Sequence, residues 1–121
     1  MITNVGYKIE KINIASVFRG YQNIVKVEND DIETNIAWVY ATRSTTYGIN
    51  HNLLKVDKST LKIIKIYDFG INAIYAISVT KDYIAALSIP DDNNKVRYLS
   101  IITRATTALT SLRYTVTNET L

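Results

Sequence analysis

The sequence contains no cysteine, and proline, histidine, methionine and tryptophan occur once each. Disulfide staples, thiolate metal sites and cysteine nucleophiles are thereby excluded. A histidine metal cage is excluded within one chain as well, because His51 has no second histidine to share a cation with. The four glycines never fall in a G-x-G arrangement, which leaves no phosphate-cradling loop. No HExxH, nucleophile elbow or pair of carboxylates placed for acid–base work is visible, and nothing points to a cofactor. The chain therefore reads as non-catalytic. Long hydrophobic runs are missing too: none approaches the ~20 residues of a membrane helix, and the first eight residues hold no apolar core of a cleaved leader. The formal net charge of +3 is scattered along the chain, which argues against nucleic acid as a partner.

What is present is hydrophobic residues at 47%, drawn mainly from Ile, Val and Tyr, with Thr frequent among the polar residues. All four suit a pleated, half-buried surface, and no apolar set recurs at helical spacing over a useful length. An internal repeat organises them. Residues 52–67 align with 97–112 without a gap, an offset of 45, which matches Leu54 with Leu99, Val56 with Ile101 and Ile64 with Leu109. One four-stranded propeller blade takes roughly 40–50 residues. Each copy reads as a hairpin preceded by two further strands, over residues 23–27 and 35–41 in the first copy and 73–79 and 83–89 in the second. Ile36-Ala37 matches Ile84-Ala85 at an offset of 48, and the difference is assigned to a longer loop over residues 42–51 than over 90–95.

The first two strands of each copy are apolar on both faces, as inner blade strands are, and the last strand of the first copy carries Lys62 and Lys65 among isoleucines, as an outer edge does. Residues 7–14 repeat the Lys-Ile pattern of Lys62–Ile66 and read as a lone outer strand. The expected fold is all-β: a lone strand (7–14), a first four-stranded antiparallel blade (23–69) and a second (73–115).

The run Leu53-Leu54-Lys55-Val56-Asp57-Lys58-Ser59-Thr60-Leu61-Lys62-Ile63-Ile64-Lys65 resembles blades of the YVTN/quinoprotein-like propeller superfamily, in which an Asp-x-x-Thr turn joins the last two strands. The second copy departs from it, with Ile102 aligned to Asp57 and Thr106 to Leu61. No WD dipeptide or Kelch double glycine occurs. The resemblance implies a ring of several blades, and two blades leave their flanking faces open. Three arrangements close them: a longer protein of which this is a part, three copies joined in a six-bladed ring, or two sheets packed as a sandwich. Of these, assembly or a longer protein is the expectation.

Trp38, Tyr40, Tyr47 and His51 are the candidates for ligand contact. Trp38 and Tyr40 alternate on one strand face with Tyr47 following, an arrangement that serves either as a sugar platform or as core and interblade packing. The second copy aligns Ala86 and Ser88 there. His51, in the expected loop, either reaches a ligand at a loop rim or is solvated. Asp91-Asp92-Asn93-Asn94 and the acidic stretch 28–33 lack the spaced oxygens of a calcium loop and read as solvated turns. Lys55, Lys58, Lys62 and Lys65 either meet phosphate or protect a solvated edge; the second copy aligns Ser100, Thr103, Thr107 and Thr110 with them.

Protein is accordingly the expected partner, through self-association or the remainder of a larger propeller. The composition, rich in Ile, Thr, Tyr and Asn and free of cysteine, is similar to that of virion and cell-surface proteins of heat-loving archaea and their viruses, which makes a structural or attachment role the leading expectation. A carbohydrate-binding trimer is the alternative, and a part of a quinoprotein-like propeller enzyme the second alternative. The Asn118-Glu119-Thr120 triplet permits glycosylation in a secreted setting.

Overall fold

The structure, a computed structural model, describes residues 18–88 and 96–115. Eight strands form two four-stranded antiparallel sheets. The first contains β1 (Asn23–Asn29), β2 (Ile36–Thr45), β3 (Gly48–Asp57) and β4 (Ile63–Asp68). The second contains β5 (Ile74–Val79), β6 (Tyr83–Ser88), β7 (Val96–Thr103) and β8 (Leu109–Thr115). Each is a meander in which neighbours in sequence pair in space, so the expected all-β class with two four-stranded units is present. The chain divides into two compact units between residues 71 and 72. The expected lone strand 7–14 and the Asp91–Asn94 turn lie outside the described residues.

β2 organises the first sheet because its seven residues Ile36–Thr42 are buried without interruption. Ala37, Val39 and Ala41 on one face pack with Leu54 and Val56 of β3, and this face is capped by Phe18 and Tyr21, which precede the sheet. Gly20 has φ +92° and Tyr21 N–H donates to the Phe18 carbonyl at 3.0 Å. A glycine in the third position of such a turn supplies the positive φ it needs. The Tyr21 hydroxyl then donates to Oδ1 of the buried Asn52 at 2.6 Å, whose amide donates in turn to Asn50 Oδ1 and Asp68 Oδ1. Burial, and secondarily the charge of Asp68, push the Tyr21 phenol above its ordinary value against the opposing pull of Arg43. One short turn thus closes the apolar face and satisfies the polar groups at its end.

The two sheets share a hydrogen-bonding pattern, and that pattern corrects the register read from the sequence. β1 and β5 both carry a bulge, with Val25 and Tyr75 as the extra residues. Both outer hairpins close on a non-glycine residue of positive φ: Leu61 (60°), donating to Asp57 O at 2.8 Å, and Thr107 (57°), donating to Thr103 O at 2.7 Å. Equivalent positions are therefore Leu53 with Leu99, Val56 with Ile102, Asp57 with Thr103 and Leu61 with Thr107. The matches of Leu54 with Leu99, Val56 with Ile101, Asp57 with Ile102 and Leu61 with Thr106 are each one residue out, and a one-residue slip moves a side chain to the opposite face. The causes are local. The β1–β2 connection spans residues 30–35 but its counterpart only 80–82, and β4 has a bulge at Ile64 that β8 lacks.

A second correction concerns residues 42–51, expected as a loop. They form the far half of a long β2–β3 hairpin, paired from Thr42–His51 to Thr45–Gly48 around a turn at Thr46 and Tyr47. β-Branched Thr42 and Thr45 sustain the ladder, and Gly48 takes φ +122°, where only glycine sits without strain.

Thr107 is exposed and β-branched, so holding it in the left-handed region costs about 1–2 kcal/mol. Replacing Thr107 by glycine removes that strain at the expense of a more flexible unfolded chain, and a net gain of about 0.5 kcal/mol is expected in urea denaturation. The neighbouring Thr106→Gly, at a residue of negative φ, is expected to lose stability instead.

Candidate functional site

The face of β2 opposite the capped core carries Trp38 and Tyr40, joined by Leu53 of β3 and Tyr67 of β4 through direct cross-strand pairing. All four are at most 4% exposed. Burying an indole and two phenols requires partners for their polar atoms. The Trp38 indole N–H donates to Asp30 Oδ2 at 3.0 Å. Asp30 is itself fully buried, and its Oδ1 accepts the backbone N–H groups of Ile32 and Glu33, both at 2.9 Å. The carboxylate thereby shapes the turn that feeds β2 and anchors the largest side chain on β2. This corrects the reading of residues 28–33 as a solvated acidic loop: Asp30 is a buried structural acceptor, and Glu33 pairs with Lys55 at 3.3 Å.

Tyr40 meets His51 on β3, hydroxyl to Nδ1, at 2.6 Å. His51 is therefore a strand residue and not a loop residue. Burial holds its imidazole below its ordinary value. A neutral ring carrying its proton on Nε2 accepts the Tyr40 hydroxyl at Nδ1, whereas a protonated ring has no free lone pair there. Trp38 and Tyr67 lie with ring centroids 6.1 Å apart at a 40° tilt. Lys55 and Lys65 stand directly opposite each other across β3 and β4, an unfavourable juxtaposition of like charge. Each is placed over a ring that offsets it: Lys55 is 5.8 Å from the Trp38 centroid and Lys65 is 5.2 Å from that of Tyr67.

Of the four sequence candidates, the structure thus brings Tyr40 and His51 into contact and buries Trp38 beside Tyr67. Tyr47 stands apart at the tip of the β2–β3 hairpin, 92% exposed. Burial of Trp38 and Tyr40 favours the packing alternative over an open aromatic platform. In the second sheet the equivalent positions are Ala85 for Trp38, Leu87 for Tyr40, Arg97 for His51 and Leu112 for Tyr67, so the aromatic cluster belongs to the first copy. Asp30 and Tyr67 went unrecognised as members of the cluster. The signal for Asp30 is an acid placed two and three residues before donors it can cap, hidden within a run of like-charged neighbours.

The Asp-x-x-Thr turn is also built as a capped turn. Asp57 Oδ1 accepts from Ser59 N–H at 2.8 Å, Thr60 N–H at 3.2 Å and the Asn35 amide at 3.2 Å. These bonds, that of Thr60 foremost, hold its carboxyl below the usual carboxylate range.

Two outcomes are expected. Asp30→Ala leaves three donors without this acceptor and should cost about 3 kcal/mol in denaturant unfolding, and Asp30→Asn combined with Trp38→Phe should show a coupling of about 1 kcal/mol in a double-mutant cycle. For His51 the folded state binds its proton at lower pH than the unfolded chain does. Its contribution is present above about pH 6.5 and declines as pH falls. Stability measured between pH 8 and pH 5 should drop, and His51→Gln should remove that part of the slope. No protein-family model, curated protein or solved structure matches this chain, which leaves its own side chains as the ground for function.

Proposed function

We propose that this chain is a non-catalytic structural or interaction module, composed of two propeller-like blades, that assembles with other protein through its sheet surfaces. A virion or cell-surface particle is the setting its composition suits. The carrying observation is how its polar and apolar groups are used. The carboxylate, amide and imidazole groups at the heart of the first sheet are spent on internal bonds: Asp30 on Trp38, His51 on Tyr40, Asn52 on Tyr21. Large apolar side chains meanwhile stand outside, among them Ile71 at 77%, Tyr75 at 61% and Leu112 at 61% exposure. Scattered exposed apolar residues are ordinary. Ile71 lies between β4 and β5, Tyr75 is the bulged residue of β5 and Leu112 is on β8, so large apolar side chains are available to other protein at several places.

The repeat reading is supported by the matched bulges at Val25 and Tyr75 and the matched left-handed residues Leu61 and Thr107. Bulges and strained turn residues are placed features, and two coincidences at equivalent positions favour one unit used twice. No observation favours the carbohydrate reading in the same way, since Trp38 is 1% exposed.

Light scattering or sedimentation over a range of concentrations tests the proposal. The expected result is a particle whose mass is a multiple of the 13.7 kDa chain. A single-chain mass at every concentration, up to the millimolar range, overturns it.

A further inference from the structure

We draw no further inference here: the strongest candidate, the surface patch of the second sheet along its unbulged outer strand β8, where Leu112 stands opposite Leu99 and Thr110 opposite Ile101, carries nothing because nothing in the structure shows what covers it.

Discussion

The burial of β2 on both faces is the constraint on which the first sheet depends. Seven consecutive residues, Ile36–Thr42, are shielded from water, and a strand sandwiched in this way must be apolar on both sides or bring partners for its polar atoms. On one face the solution is simple: Ala37, Val39 and Ala41 offer no polar side-chain atoms and leave room for Phe18 and Tyr21. The other face carries an indole and a phenol. Their N–H and O–H are met from opposite ends of the sheet, by Asp30 before β2 and by His51 on β3. The large apolar area of Trp38 and Tyr40 is therefore compatible with burial only because these two partners are in place.

Comparison of the two copies shows which features belong to the unit and which to one copy. The meander, the bulge in the first strand and the left-handed residue of the outer turn recur. These features are set by backbone geometry, and side chains of very different character tolerate them: Val25 and Tyr75 in the bulge, Leu61 and Thr107 in the turn. The polar solutions do not recur. Asp57 caps its turn through Oδ1, while the equivalent Thr103 sustains the same turn through backbone bonds to Thr107 and Ala108. Asp30 shapes a six-residue connection, while Thr80 closes a three-residue one with its backbone and hydroxyl both bonded to Tyr83 O. The hydrogen-bond demand is constant between copies, and the groups that meet it are free to change.

Much of the fold was legible in the sequence because strand signals are local. The Ile, Val, Tyr and Thr content, the turn residues and the doubled hairpin sufficed for two four-stranded antiparallel units. Register was not legible, for a physical reason. Leu53-Leu54 offers two leucines to match the single Leu99, and the face-conserving choice, Leu53, is revealed only by the bulge at Ile64 and the length of the neighbouring turn. The hairpin over residues 42–51 was misread for a related reason. Arg43, Ser44, Asn50 and His51 are polar, as loop residues are, yet a hairpin extending past its flanking strands is solvated and needs no apolar side chains there. Of the candidate site, aromatic alternation located Trp38 and Tyr40 on one face, but contact between Tyr40 and His51 depends on pairing across β2 and β3, which no spacing rule supplies. Asp30 was hidden because a buried carboxylate and a solvated one are written with the same letter, and only its donors distinguish them.

The divergence between the two copies has a direction. Passing from the first sheet to the second on the same face, Lys55 becomes Ile101, Lys65 becomes Thr110 and Tyr67 becomes Leu112. Each step removes a charge or a hydroxyl. A surface exposed to water gains nothing from losing its lysines, because an edge strand without charge invites foreign pairing. Retaining Leu87, Leu99, Ile101 and Leu112 together costs solubility unless another surface covers them, whereas the same apolar area, once covered, contributes about 25 cal/mol for each Å² removed from water. The first copy resolves its interior with hydrogen bonds and cation–aromatic contacts inside one chain. The second places Ala85, Ile101, Thr110 and Leu112 at the corresponding positions, where neither a cation nor an aromatic ring is available for such contacts.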